Sequence, residues 1–213
     1  MNEPRGAIIH VVDDDRSFRT AICRLIEAWG FRAASYGSGD EFLARLSDPE
    51  PGCVLVDLQM PDLDGLELQE RLAEKAPLLP VLFLTGHGDV PASVRAMKAG
   101  AADFLEKPVS GAVLFEAVRR ALADNERRRT AGDRLTVLRA RVAALTARES
   151  HVFRLMVRGK RNKQIAYELT ISERTVKAHR QKIMEKLAAR SFAETVSIAA
   201  ELGLADQGEQ PQP

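Results

Sequence analysis

The stretch IIHVVDDDRS, Ile8–Ser17, carries a short, mostly apolar run into three adjacent aspartates. A run of this length, rich in β-branched residues and free of internal charge, reads as a strand buried on both faces. The acids at its end pose a physical problem. Two carboxylates about 4 Å apart repel by about 4 kcal/mol at an effective dielectric near 20. Loop acids can splay into water, and acids also favour the starts of helices. They can also share a cation with a carboxylate that arrives from elsewhere in the chain.

Outward from this stretch, apolar runs alternate with segments of helical period. The runs are 7–12, 53–58, 80–85 and 103–108, with a weaker one at 32–36. Helix-like segments lie at 17–29, 40–47, 65–75, 90–99 and from 110 onward. Asp40 and Ser110 are expected to be N-caps, and Gly30 and Gly100 stand where helices should stop. Five strands alternating with five helices predict an α/β fold, doubly wound, with right-handed crossovers and a five-stranded parallel sheet. Function in such sheets gathers beyond the carboxyl ends of the strands. That rule collects Asp13, Asp14 and Asp15 after the first strand and Asp57 near the end of the third. Thr85 closes the fourth strand and Lys107 the fifth. The three aspartates are therefore expected to hold, together with Asp57, a hard divalent cation such as Mg²⁺, which takes oxygen ligands. Without the metal, mutual repulsion should push acid pKa values up.

The chain of 213 residues suggests one large or two small domains, and its 45% apolar share suffices for a packed core. The net charge of +1 hides an asymmetry: residues 1–123 carry −6, residues 124–145 carry +3 and residues 146–213 carry +4. An acidic head and a basic tail fit metal binding at one end and a polyanion at the other. The two cysteines, Cys23 and Cys53, lie in a helix-like segment and an apolar run and read as small buried hydrophobes. No basic-then-apolar leader opens the sequence, and no apolar stretch is long enough to span a bilayer. A soluble, cytoplasmic protein without membrane attachment is expected.

The motifs VVDDD, VLVDLQMPDLDG, LTGHGD and DFLEKP, in this order and spacing, resemble the receiver domain of two-component response regulators, over about residues 6–123. The resemblance implies a flavodoxin-like fold in which Asp57 accepts a phosphoryl group from the phosphohistidine of a sensor kinase. It implies Mg²⁺ ligation by Asp14, Asp57 and the Gln59 backbone carbonyl, with Asp13 acting through a metal-bound water. It places Lys107 against the phosphate and makes Thr85 a hydroxyl donor that moves toward it. Phe104 takes the place of the aromatic that follows this movement, although an ordinary core role fits it equally from the sequence. The Lys107–Pro108 bond is expected to be cis. Asp15 reads as a solvated acid at a helix start. Neither His10 nor His87 has a partner at ligand spacing, so His10 is expected in the core or an interface and His87 in a loop.

Residues 110–145 read as one long helix. Leu114, Ala117, Ala121, Asp124, Arg128, Ala131, Leu135, Leu138, Val142 and Leu145 recur in alternating steps of three and four. Asp124 and Arg128 interrupt the stripe, whose best part is Leu135 to Leu145. Two readings stay open: a coiled-coil seam, or a linker helix packed on its own domains.

The tail is helical. Thr146 with Glu149 and Ser191 with Glu194 have capping-box spacing, and Gly159 should end the first helix. A short helix, 162–169, a tight connection at 170–172 and a helix capped by Ser172 and running to about Leu187 make a helix-turn-helix. On the last of these helices Val176, Ile183 and Leu187 face inward. Ala178 and Gln181 lie opposite, flanked by Thr175, Lys177 and Lys182, a face suited to the major groove.

SERTVKAHRQKIMEKL, Ser172–Leu187, resembles the LuxR-type DNA-binding domain, with the likeness covering about residues 142–204. With the receiver, it is similar to the FixJ/NarL class of transcriptional regulators. The resemblance implies that Lys177, Ala178 and Gln181 approach base edges. Lys163, Thr175, His179 and Lys182 would hold phosphates, and Arg174 and Arg180 either join them or stay on a solvated face. The expected organisation is a receiver at 1–123, a linker helix at 124–145, a DNA-binding domain at 146–204 and a disordered tail at 205–213. The expected partners are a sensor histidine kinase, double-stranded promoter DNA and RNA polymerase, with a homodimer formed on phosphorylation. An Mg²⁺-dependent phosphatase would leave the tail domain unexplained. A constitutive DNA-binding protein would leave the set Asp13, Asp14, Asp57, Thr85 and Lys107 unexplained.

Overall fold

The structure, a computed structural model, describes residues 6–46, 50–86 and 90–204. The chain divides into two compact units, residues 1–129 and 130–213.

The first unit runs β1 (Ile8–Val12), α1 (Arg16–Ala28), β2 (Arg32–Tyr36), α2 (Gly39–Arg45), β3 (Gly52–Asp57), α3 (Gly65–Lys75), β4 (Val81–Thr85), α4 (Val90–Lys98), β5 (Asp103–Glu106) and the start of α5 (Gly111–Ala143). The five strands are parallel in the order β2-β1-β3-β4-β5. Alternation within β3 builds two cores. Val54 and Val56 face Phe42, Leu68, Leu72 and Ala96, whereas Leu55 faces Ile22, Ile26, Leu114 and Val118. Both faces are covered, which is why the strands read as continuous apolar runs. The chain switches direction of winding between β1 and β3, and the crevice there opens at the strands' carboxyl ends.

Local chemistry sets the helix ends. Asp15 caps α1, its Oδ1 accepting from the Ser17 and Phe18 amides at 2.7 and 3.2 Å. Ser38, not Asp40, caps α2: its backbone is extended and its short hydroxyl accepts from the Glu41 amide at 3.1 Å. Asp40 lies in the first turn and pairs with Arg71 at 3.3 Å. Helix α1 ends at Gly30 with φ +87°, where the Phe31 amide donates to the Ile26 carbonyl at 3.3 Å, the hydrogen bond of a Schellman end. At Gly65 any Cβ would lie 2.5 Å from the Asp57 carbonyl oxygen, so only glycine lets α3 start this close to β3. The Lys107–Pro108 peptide is cis.

Where α5 crosses the base of the sheet, Asn125 is almost fully buried. Its amide donates to the Leu78 carbonyl at 2.5 Å and its Oδ1 accepts from the Gly52 amide at 3.2 Å. His10 is also buried. It lies 3.1 Å from the Tyr36 hydroxyl, beside the rings of Tyr36 and Phe42. Burial lowers its pKa to about 4, against an opposing pull from Glu50. Cys53 is buried, with its thiol pushed up to about 12 by burial, and Cys23 is half-buried; both are free thiols.

The second unit holds the end of α5, α6 (Ala147–Val157), α7 (Asn162–Glu168), α8 (Glu173–Leu187) and α9 (Phe192–Glu201). Its core joins Leu138, Val152, Met156, Ile165, Val176, Ile183, Leu187 and Ile198. The capping box of Thr146 and Glu149 is present. Glu149 is buried and also meets Lys186 Nζ at 2.6 Å, and these hydrogen bonds hold its carboxyl down at about 2. At α9, Ser191 accepts from the Glu194 amide, but the Glu194 carboxylate takes the Arg190 amide, one residue before the cap.

The stripe along α5 is consumed locally. Leu114, Ala117 and Ala121 are buried in the core of the first unit, and Leu138 and Leu145 in that of the second, with Val142 packed beside them. Asp124 pairs with Arg127 and Arg128 at 3.2 and 2.7 Å. Of the two readings left open by the sequence, packing on the chain's own cores is the one these contacts favour. Among the described residues, no helix is long and apolar enough to cross a membrane.

Candidate functional site

Parallel register brings the acids together. Val12 of β1 pairs with Val56 of β3, so Asp13 and Asp57 are the next residues on adjacent strands. Thr85 pairs with Glu106, which sets Lys107 just beyond the rim, its amide donating to the Thr85 carbonyl at 2.7 Å. The Lys107 ammonium donates to Asp13 Oδ2 at 2.6 Å and to Asp57 Oδ2 at 2.9 Å. It also stands 4.1 Å from the centroid of the Phe18 ring. The Asp15 amide donates to Asp13 Oδ1 at 2.8 Å, and the Gln59 amide to Asp57 Oδ1 at 3.3 Å. Arg19 donates to the Asp13 carbonyl.

Asp13 is buried, Asp57 half-buried and Asp14 exposed. Burial is the main cause that raises the Asp13 pKa, and the hydrogen bond and charge of Lys107 oppose it. Repulsion from Asp57 contributes least, so the expected cause was misplaced: the lysine already screens the acids. For Lys107 burial works downward, but the bonds to Asp13 and Asp57 overcome it and the pKa is raised.

One carboxylate oxygen from each of Asp13, Asp14 and Asp57 lies within 4.8 Å of the others. An all-oxygen, anionic donor set on the solvent side of the pocket fits a hard cation such as Mg²⁺. Thr85 is fully buried at the end of β4. Phe104 is half-buried, packed on the core that contains Phe83, with ring centroids 5.9 Å apart. His87 lies outside the described residues. Two neighbours of the pocket were not anticipated, Phe18 and Arg19. Their only sequence signal is their place on the first two turns after the Asp15 cap.

In the second unit α7 and α8 are joined by the short connection 169–172, and the buried face of α8 is Val176, Ile183 and Leu187 as predicted. Arg174, Thr175, Lys177, Ala178, Gln181 and Lys182 are exposed on α8, as is Lys163 on α7, while His179 is half-buried. Gln181 Nε2 donates to Glu185 Oε1 at 3.0 Å. Arg180 lies 5.0 Å from the Phe192 ring centroid, and burial lowers its pKa. That packing turns it toward α9, so it does not extend the exposed basic row.

A parallel-sheet unit with an acid-lysine pocket, joined to a helix-turn-helix unit, defines a phosphorylation-controlled DNA-binding protein. Comparison with known families agrees. Residues 9–119 match the response regulator receiver domain, and residues 143–205 match the bacterial regulatory proteins of the luxR family. The chain is 40% identical over 191 residues to the transcriptional regulatory protein FixJ of Rhizobium meliloti, covering 90% of this chain and 94% of FixJ. It is 36% identical over 198 residues to the response regulator protein TodT of Pseudomonas putida, covering 93% and 87%. Among solved structures, the response regulator StyR aligns with a TM-score of 0.83 at 41% identity over 92% of this chain and 99% of StyR. Full-length FixJ from B. japonicum aligns with a TM-score of 0.58 at 38% identity over 93% and 98%. The chain belongs to the FixJ/NarL family of response regulators. It is a phosphorylation-regulated DNA-binding regulator whose receiver implies a kinase partner.

Proposed function

We propose that Asp57 is the phosphoacceptor. A carboxylate oxygen of Asp57 bonds to phosphorus as the P–N bond of a kinase phosphohistidine breaks, and the imidazole nitrogen leaves with the electron pair and takes up a proton. The observation that carries this reading is the Lys107 ammonium held between Asp13 and Asp57 at 2.6 and 2.9 Å. Phosphoryl transfer is catalysed mainly by positioning and charge neutralisation. Lys107 keeps Asp57 in place before transfer and offers its charge to the phosphoryl oxygens afterwards. Asp13, Asp14, Asp57 and the Gln59 carbonyl would hold Mg²⁺, which supplies further positive charge at the phosphoryl group.

Thr85, at the end of β4, donates its hydroxyl to the new phosphate, and Phe104, which pairs with Phe83 two residues earlier on β4, follows. The phosphate thereby favours a receiver that forms a homodimer, provided it binds the two conformations with different free energy. The modules of this switch are a receiver at 1–123, a linker helix at 124–145 and a DNA-binding domain at 146–204. In the DNA-binding domain Lys177, Ala178 and Gln181 meet base edges of promoter DNA, and Lys163, Arg174, Thr175, His179 and Lys182 hold its backbone. The bound dimer acts on RNA polymerase in the cytoplasm.

The test treats the full chain with a small phosphodonor and Mg²⁺ and measures operator affinity and oligomeric state. Phosphate should be incorporated in wild type and not in Asp57→Asn, and operator affinity should rise only in wild type. Equal affinity before and after demonstrated phosphorylation would exclude the switch. Lys177→Ala should weaken operator binding by about 1–3 kcal/mol and relax one base position.

A further inference from the structure

We infer that Phe18 is a positioning residue for phosphoryl transfer, its ring holding the Lys107 ammonium in place between Asp13 and Asp57. The inference rests on the proposed role of Asp57 as phosphoacceptor and adds to that site a residue that is neither charged nor polar.

Lys107 carries its ammonium on a flexible stem, which by itself fixes neither place nor direction. Hydrogen bonds to Asp13 Oδ2 at 2.6 Å and Asp57 Oδ2 at 2.9 Å hold it from the side of the acids. The face of the Phe18 ring holds it from another side, with Nζ 4.1 Å from the centroid. Only 17% of the Lys107 side chain is exposed, so this cation–π contact forms in a site largely closed to water, where it is stronger than on an open surface. The ring has a fixed place of its own. The Phe18 amide donates to Asp15 Oδ1 at 3.2 Å in the first turn of α1, and the half-buried side chain packs on the core of Ile9, Ile22 and Leu84. One residue on, Arg19 donates to the Asp13 carbonyl and ties the same turn to the end of β1.

The value of the ring is positional. Charge placed in advance where the phosphoryl oxygens arrive needs no reorganisation at the moment of reaction. In the proposed transfer the ammonium turns from an Asp57 oxygen to the phosphoryl oxygens. A further hydrogen bond from a fixed acceptor would oppose that turn, because it ties one N–H bond to one direction. The attraction of a ring face acts on the charge and leaves the N–H bonds free to change partners. An aliphatic side chain at the same place would fill the space without that attraction. This difference separates positioning from packing.

The experiment uses the full chain. In metal-free buffer, the ring current should shift the Lys107 ε-methylene protons upfield in NMR spectra of wild type and of Phe18→Tyr. Phe18→Leu, with Phe18→Met as a second ring-free variant, should return them to ordinary lysine positions. With Mg²⁺ and acetyl phosphate, the ring-free variants should lower the initial rate of phosphate incorporation by about threefold or more, and Phe18→Tyr should retain most of the rate. On the slower rate of Lys107→Met, Phe18→Leu should cause no further loss, because the ring acts through the lysine. Unshifted lysine protons in wild type, a smaller loss of rate in both ring-free variants, or an equal loss in Phe18→Tyr would overturn the inference. A full further loss in the Lys107→Met background would overturn it too, by making Phe18 ordinary packing. Wild type that takes up no phosphate, or Asp57→Asn that takes up as much as wild type, would instead refute Asp57 as the phosphoacceptor, so the two failures are distinguishable.

Discussion

The Lys107 ammonium holds Asp57 Oδ2 at 2.9 Å, and the same nitrogen reaches Asp13 Oδ2 at 2.6 Å. The lysine occupies the position of a counter-ion for carboxylates that could otherwise not approach one another. Removing one partner of a buried charge pair leaves the other uncompensated, at a cost of about 3 kcal/mol or more. Lys107→Met should therefore lower the melting temperature of the first unit in metal-free buffer. Mg²⁺ should recover part of the loss, because a ligand bound only to the folded state stabilises it. Thermal melts followed by the fluorescence of Trp29, the single tryptophan, with and without Mg²⁺ would show this. A variant as stable as wild type without metal would mean that the acids are tolerated by solvation alone.

His10 makes the first unit sensitive to mild acid. Its pKa is 6.5 in the unfolded chain and about 4 in the buried site between Tyr36 and Phe42. Between those values the unfolded chain binds more protons. The stability linked to neutral His10 is thus complete above 6.5, declines as pH falls, and is lost as pH passes through about 4. The depression corresponds to about 3 kcal/mol. Denaturant midpoints measured from pH 7 to pH 4 should fall in wild type and stay flatter in His10→Phe, which keeps an aromatic ring and removes the titration. Equal slopes would assign the acid sensitivity to other groups.

The sequence carried the parts of the fold that repeat with a fixed period. Apolar runs located β1, β3 and β4, and because function collects at carboxyl ends, Asp13, Asp57, Thr85 and Lys107 could be placed at one rim from the sequence. What it did not carry depends on contacts between residues distant in the chain or on a choice between adjacent caps. Ser38 and Asp40 are both good N-caps, and only the extended backbone at Ser38 decides between them. The stripe from Leu135 to Leu145 suits a second copy as well as a local core, and the packing of Leu138 and Leu145 with Met156 and Ile183 becomes visible only in three dimensions. Burial, which dominates the Asp13 pKa, has no sequence signature.

Asn125 belongs to that invisible class, since its partners Leu78 and Gly52 lie 47 and 73 residues away. It satisfies one backbone donor and one backbone acceptor at the base of the sheet. Asn125→Ala should cost about 2 kcal/mol, because an unsatisfied buried polar group loses its hydration without recompense. Amide exchange at Gly52 should accelerate in the variant, read by hydrogen exchange on the full chain. Unchanged protection at Gly52 would show that water replaces the side chain.

Thr170 presents the opposite case, a residue that works against its own backbone. It follows α7 in the left-handed conformation, with φ +52°. The hydrogen bonds around it are those of a Schellman end, Ile171 amide to Ala166 carbonyl and Thr170 amide to Tyr167 carbonyl. At the same position after α6 stands Gly159, with φ +76°. A β-branched side chain is poorly suited to this region, at a cost of about 1–2 kcal/mol, while glycine loses more freedom on folding. Thr170→Gly should therefore stabilise the second unit by about 1 kcal/mol. Ala188, also left-handed at φ +52° after α8, should gain by less on the change to glycine, because alanine carries no branch. The gain should appear in far-UV circular dichroism melts and not in Trp29 fluorescence, since Trp29 belongs to the first unit. A loss of stability in Thr170→Gly would show that the threonine side chain makes up for its backbone through packing at the turn.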